Sequence, residues 1–221
     1  MGCVGLLYIG QSPKEDYVSF FRTGLPADTK IVEAGAMDDL TLEEIRALPV
    51  QEGEPILVMQ TRDLVTVTAA KALVEERLAE KVQLLESLGA QVIVVLCTGK
   101  FPSLNSRVLL LEPSEILFKT VAAVSRGRKV GVITPLPEQI PQTRASWQAV
   151  GIEPMLEAAT PYESLNPVVE AALRLRDGGA DLIVLDCMGF TGEAKNAVRQ
   201  ASGIPTICAR SIVRRVLGEL A

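Results

Sequence analysis

Gln91-Val92-Ile93-Val94-Val95-Leu96-Cys97-Thr98-Gly99 and Asp181-Leu182-Ile183-Val184-Leu185-Asp186-Cys187-Met188-Gly189 decide how this chain is read. Each is a short apolar run ending on a cysteine and a small glycine-containing loop. A run that is apolar along its whole length fits a strand buried on both faces, as in a parallel sheet. Ligands of open α/β sheets bind at the carboxyl ends of the strands, so both thiols stand where chemistry takes place. The two cysteines lie ninety positions apart. Matched thiols point to a symmetric task, one on each side of a substrate.

Working outward, short apolar runs alternate with helical patterns along the chain, the mark of βαβ units. Strands are expected near 3–9, 30–34, 55–59 and 91–96, and again near 129–134, 152–157, 181–186 and 204–208. Helices are expected near 14–23, 41–48, 69–88, 113–126, 137–150, 163–178, 191–201 and 210–220. Thr41 ahead of Leu42-Glu43-Glu44 reads as a helix cap, and Pro113 opens a helix with acids at its positive end. Gly89 and Gly178-Gly179 read as helix stops ahead of strands. The fold class is therefore α/β, with two similar lobes, each a four-stranded mostly parallel sheet flanked by helices. One lobe is expected over 1–105 plus a C-terminal helix over 210–221, the other over 106–209. Asp63 to Thr68 is expected to add a strand or hairpin to the first half. The match between halves is imperfect, because Cys97 follows the fourth run of its set and Cys187 the third.

Composition narrows the chemistry. The chain has 221 residues, 48% of them hydrophobic, and a net charge of −5, which leaves no basic footprint for nucleic acid. Its four cysteines form no CxxC pair, so neither a zinc knuckle nor a redox motif is indicated. The first apolar run is too short for a signal or membrane span, so a reducing cytoplasm with thiols is expected. There is no histidine. That removes Ser-His-Asp and Cys-His nucleophile systems and HExxH zinc sites. Acid/base work near pH 7 falls to Cys, Lys, Tyr or a perturbed carboxylate, and a thiol of lowered pKa suits it. The P-loop and GxGxxG patterns are both absent.

Each candidate has a plainer alternative. Cysteine often serves as a small buried hydrophobe, and Cys3 and Cys208 are assigned to that class. Cys97 and Cys187 are assigned to catalysis, since both follow a buried run and precede loops able to present N–H groups. Gln11, Ser12, Thr98 and Thr134 follow strand ends and either cap turns or bind substrate oxygens. Gly189 would offer its amide. Arg62 and Lys100 either pair with an anionic substrate or are solvated charges. Asp186 should point away from Cys187 by strand alternation.

Leu111-Glu112-Pro113-Ser114-Glu115-Ile116-Leu117, Val130-Gly131-Val132-Ile133-Thr134-Pro135 and the stretch Gly179 to Phe190 resemble, in order, the AroM family, a group of small bacterial proteins. That family is related to the aspartate/glutamate/hydantoin racemase superfamily. The resemblance implies two α/β lobes with the site between them. It also implies two-base chemistry without metal, pyridoxal phosphate or nicotinamide, one thiolate removing a proton from Cα and the other thiol returning one to the opposite face. Cys97 would be the first-lobe base and Cys187 the second-lobe base. Glutamate racemases resemble Cys-Asn-Thr and Cys-Thr-His at these sites. Here the sites read Cys97-Thr98-Gly99 and Cys187-Met188-Gly189, the second closer to hydantoin racemases.

The expected function is a cofactor-independent racemase or isomerase acting on a small carboxylate or amide-containing acid, at a carbon next to a carbonyl. Thr98, Gly189 and the loops holding Gln11, Ser12, Arg62 and Thr134 would hold its oxygens. Two alternatives stay open: a decarboxylase using one cysteine, and a non-catalytic metabolite-binding protein linked to aromatic metabolism. No nucleic acid or membrane partner is expected, and a homodimer is the default for such a protein.

Overall fold

The computed structural model describes residues 2–220. The chain divides into two compact units, residues 1–113 with 214–221, and residues 114–213.

In the first unit β1 (Cys3–Tyr8), β2 (Lys30–Gly35), β5 (Val92–Val95) and β6 (Leu109–Leu111) form a parallel sheet ordered β2-β1-β5-β6. In the second, β7 (Val130–Thr134), β8 (Met155–Ala158), β9 (Leu182–Leu185) and β10 (Thr206–Cys208) form a parallel sheet ordered β8-β7-β9-β10. The orders are the same: second strand, first, third, fourth. Chain direction therefore switches between first and third strands, leaving a crevice at their carboxyl ends. The third strands β5 and β9 are buried at every residue, which accounts for their unbroken apolar sequence.

Two corrections to the expected strands follow. The run near 55–59 is no member of the parallel sheet. As β3 (Ile56–Gln60) it pairs antiparallel with β4 (Thr66–Ala70) in a separate hairpin. β4 alternates exposed Thr66 and Thr68 with buried Val67 and Ala69, the pattern of a strand with one solvated face. The fourth strand of the first sheet is instead β6, whose three residues are too few to register as a periodic signal. With the hairpin set aside, Cys97, like Cys187, follows the third strand of its sheet, and the mismatch between the halves disappears.

The match extends to single residues. Leu7 bridges Val95 in one sheet and Ile133 bridges Leu185 in the other. Helix α3 (Lys71–Ser87) buries Val74, Leu78, Val82 and Leu85 along one stripe, and α6 (Asn166–Asp177) buries Val168, Ala171, Ala172 and Leu175. Leu85 and Leu175 each press on a first-strand glycine: a Cβ on Gly5 would meet Leu85 at 3.2 Å, and one on Gly131 would meet Leu175 at 3.0 Å. Past each helix comes a glycine of positive φ, Gly89 (90°) and Gly179 (87°), where L side chains are disfavoured. Then Ala90 N–H returns to Leu85 O at 3.1 Å, and Ala180 N–H to Leu175 O at 3.0 Å. Residues 84–99 and 174–189 are thus one helix–strand–thiol motif used twice. They share Leu85/Leu175, Gly89/Gly179, Ala90/Ala180, Ile93/Ile183, Val94/Val184, Cys97/Cys187 and Gly99/Gly189.

The remaining helices are α1 (Glu15–Arg22), α2 (Leu42–Arg46), α4 (Pro113–Ser125), α5 (Ile140–Gln148), α7 (Gly192–Ser202) and α8 (Ala209–Glu219). Thr41 and Glu44 close a reciprocal capping box on α2. Among the described residues no helix is long and apolar enough to cross a membrane.

Candidate active site

Cys97 and Cys187 occupy equivalent ladder positions, two residues beyond the last bridged residue of β5 and of β9. The intervening residue extends the ladder in each unit: Leu96 N–H donates to Leu7 O at 2.8 Å, and Asp186 N–H to Ile133 O at 3.0 Å. Each thiol then accepts an amide from two residues on, Gly99 N–H to Cys97 Sγ at 3.2 Å and Gly189 N–H to Cys187 Sγ at 3.3 Å. A hydrogen bond donated to sulfur favours thiolate over thiol. Cys97 is buried, Cys187 half-buried, and neither is in a disulfide. A Cβ on Gly99 would stand 3.3 Å from Cys97 Sγ, so glycine keeps that thiol's approach open.

The loop after β1 is braced from both sides. Gln11 is buried, and its amide donates to Met37 O at 3.0 Å and Leu40 O at 2.7 Å while its Oε1 accepts from Arg62 N–H at 3.1 Å. Its side chain therefore ties the loop after β2 to the hairpin turn. Ser12 gives both its N–H (2.6 Å) and its hydroxyl (2.7 Å) to the Asp38 carboxylate, which also takes Gly35 N–H at 2.7 Å. Gly10 is glycine because the hairpin lies against it: a Cβ there would collide with Gln60 O.

Lys14 was missed from sequence, although a charge between Pro13 and an acidic helix start is a visible oddity. It is buried, and its ammonium donates to Thr61 O at 2.7 Å. Burial lowers its pKa, against the pull of Asp16 and Glu33. Together Gln11, Lys14 and Gly10 hold the hairpin turn, and the turn presents Arg62. That guanidinium donates to Asp38 O at 2.8 Å, lies 3.9 Å from Asp38 Oδ1, and is 45% exposed, which leaves donors facing outward.

In the second unit Thr134 ends β7 and lies 3.2 Å, hydroxyl to hydroxyl, from Thr143 of α5. Asp186 points away from Cys187, as alternation requires, and accepts Trp147 Nε1–H at 2.8 Å. Trp147 in turn stacks edge-on against Phe118, 4.4 Å between centroids. Helix α7 begins five residues after Cys187, with Thr191 Oγ1 capping Ala194 N–H at 3.2 Å. Thr98 is half-buried beside Cys97. Cys208 is buried and gives its thiol to Phe190 O at 3.3 Å, while Cys3 is buried inside β1. A surface cavity of about 590 Å³ lined by Asn196, Arg199 and Thr206 opens at the opposite end of the second sheet from Cys187. Among the described residues no group of three or more His, Cys, Asp or Glu could hold a metal ion.

The AroM family model, described as AroM protein, matches residues 4–221. The chain belongs to the AroM family. Solved structures similar to this AroM protein include allantoin racemase from Klebsiella pneumoniae, 16% identical, TM-score 0.65, covering 100% of this chain and 87% of that one. The maleate isomerase Iso from Pseudomonas putida S16 is 13% identical, TM-score 0.64, over 99% and 92%. Arylmalonate decarboxylase is 14% identical, TM-score 0.63, over 96% and 88%. At such identities the likeness establishes a shared fold. No curated protein matches this AroM chain.

Proposed function

We propose that the protein is a cofactor-independent racemase, epimerase or isomerase acting on a small carboxylate or amide-containing acid. Cys97 and Cys187 serve as the acid/base pair. The supporting observation is the duplicated thiol loop: a cysteine beyond the third strand of each sheet, each sulfur taking the N–H of the glycine two residues on.

In the forward direction one cysteine is thiolate and the other thiol. The thiolate sulfur takes the proton on the carbon next to the carbonyl, and the C–H electron pair moves into an enolate. The opposite thiol then delivers its proton to the other face of that carbon and is left as thiolate. The two sulfurs have exchanged protonation states, and the reverse reaction restores them. A proton beside a carboxylate is weakly acidic, so stabilising the enolate oxygens must supply much of the rate. In this reading Arg62 pairs with the carboxylate and Thr98 and Thr134 meet its oxygens, while Ser12, whose N–H and hydroxyl go to Asp38, and Gly189, whose N–H goes to Cys187 Sγ, shape the loops around it. Gln11 acts through Arg62, which it holds by the backbone.

The test is α-proton exchange followed by NMR in D₂O with amino acids, hydantoins, hydroxy acids and dicarboxylates, using wild type, Cys97→Ala and Cys187→Ala. Exchange that needs both cysteines supports the reading. Turnover or CO₂ loss that needs one cysteine replaces it with a single-base enzyme, and ligand binding without exchange replaces it with a binding protein. The similar folds include an allantoin racemase, so allantoin belongs among the hydantoins tested.

A further inference from the structure

One peptide group of the hairpin turn is clamped at both ends by side chains. Its carbonyl, Thr61 O, accepts the Lys14 ammonium at 2.7 Å, and its N–H, that of Arg62, donates to Gln11 Oε1 at 3.1 Å. Both clamping residues belong to the loop after β1, and both are buried. The turn needs neither of them to close. Thr61 N–H donates to Val65 O at 2.9 Å, Leu64 N–H to Thr61 O at 3.1 Å and Val65 N–H to Thr61 Oγ1 at 3.1 Å. Those bonds give the turn its shape, including Leu64 at φ 62°, a left-handed setting that a leucine holds only where its surroundings impose it. Lys14 and Gln11 give the turn its place.

Burying an ammonium is costly, and a neutral side chain of similar length would fill the space without that cost. What the charge adds is the bond to Thr61 O, since a charge-assisted hydrogen bond is roughly twice as strong as a neutral one. The residue steadied by it is Arg62, whose Cα follows that peptide group and whose guanidinium runs on to Asp38 O at 2.8 Å. We propose that Lys14 is a positioning residue for substrate binding: by clamping the Thr61–Arg62 peptide it sets where the Arg62 guanidinium meets the substrate carboxylate. This rests on the reading of Arg62 as the carboxylate ligand. It makes the preference for an acid over its matching amide depend on a side chain of the β1 loop as well as on the hairpin.

The first test reads Arg62 itself and needs no turnover. Wild type and Lys14→Met are treated with phenylglyoxal, and modification of each arginine is followed by peptide mass spectrometry. Arg199, exposed on α7 of the other unit, is the internal standard. Lys14→Met should raise the rate at Arg62 by at least about five-fold against Arg199, and an unchanged rate overturns the proposal. Should Lys14→Met fail to fold, wild type decides: Arg62 should react at least about five-fold more slowly than Arg199, and equal rates overturn the proposal. The second test uses whichever acid shows α-proton exchange. Lys14→Met should raise its KM by at least about five-fold with kcat held within about two-fold, and should add nothing further to Arg62→Gln. Effects of the two substitutions that add in full would give Lys14 a task of its own and overturn the proposal. Arg62 released by Lys14→Met, with no exchange from any acid, would sink the racemase reading and leave Lys14 as the residue that places Arg62. Exchange that needs Arg62 and ignores Lys14→Met would sink this inference alone.

Discussion

The two thiol loops have the same cradle and different supports. Around Cys97 the connection to β6 has no helix, and α3 holds it by side chains. Glu75 takes Ser103 N–H (3.0 Å) and hydroxyl (2.6 Å), and Glu86 takes Ser106 hydroxyl (2.9 Å) and Arg107 N–H (2.6 Å). Those bonds hold both carboxyls below the usual glutamate range, against the desolvation that opposes them. Around Cys187 the connection is α7 itself, capped by Thr191, and the residue behind the thiol is Asp186 bonded to Trp147 where the first unit has buried Leu96. The sulfur–amide geometry survives this exchange of scaffolding, so the cradle is set by the strand ladder and the glycine. What the supports differ in is polarity: a buried aspartate hydrogen-bonded to an indole lies behind one thiol and a leucine behind the other.

The largest test of that equivalence is catalytic. Under two-base chemistry Cys97→Ala and Cys187→Ala should each cut α-proton exchange by about 10²–10⁴-fold, the range for a general acid or base. A large asymmetry would show that the matched cradles do unmatched work. Next comes Gly10→Ala, which drives a methyl into Gln60 O and should cost several kcal/mol or displace the hairpin; urea unfolding with and without Arg62→Gln separates the two. Gly131→Ala should cost about 1–3 kcal/mol by overpacking against Leu175, and Gly5→Ala against Leu85 should fall in the same range or slightly below, its contact being looser.

Trp147→Phe should cost about 1–3 kcal/mol, because Asp186 Oδ2 loses its indole donor inside the core. Trp147→Phe with Asp186→Leu, which gives the second unit the leucine of the first, should recover most of that loss. Chemical denaturation of both variants checks it. The smallest effect is alkaline. Tyr8 is buried and donates to Glu33 at 2.6 Å, and desolvation, reinforced by Glu33, raises its pKa. Its neutral form is favoured by folding, so its contribution is intact below pH 10 and is lost as pH rises past 10, where the unfolded phenol ionises. Tyr8→Phe should flatten the fall in thermal stability above pH 10.

Much of the frame was legible because it rests on local patterns. The unbroken apolar runs at 92–95 and 182–185 marked the buried third strands, and Gly89 and Gly179 marked the turns into them. The hairpin was half-visible: the β4 alternation is short and abuts a helix, so 55–59 read as a member of the main sheet. β6 was invisible, since three residues held by register with β5 carry no period. Among the residues proposed for the site, Cys97 and Cys187 stood out by their position at the ends of apolar runs. Lys14 did not, because its place depends on long-range packing against a hairpin 47 residues on. Gln11 makes three bonds that brace its loop, and none of those partners could be read from the sequence.

The hairpin that carries Arg62 enters the chain after β2 and leaves it before α3, outside every residue the two halves share. The frame is used twice and the hairpin once. The frame is constrained twice over, in both copies. The insert answers to one copy on its buried face, where Leu57, Met59, Val67 and Ala69 share the core of Leu7, Ile93 and Cys97, and to neither on the face of Thr66 and Thr68, which is exposed. Changes in charge should therefore be tolerated first at the exposed hairpin positions Asp63, Leu64, Thr66 and Thr68.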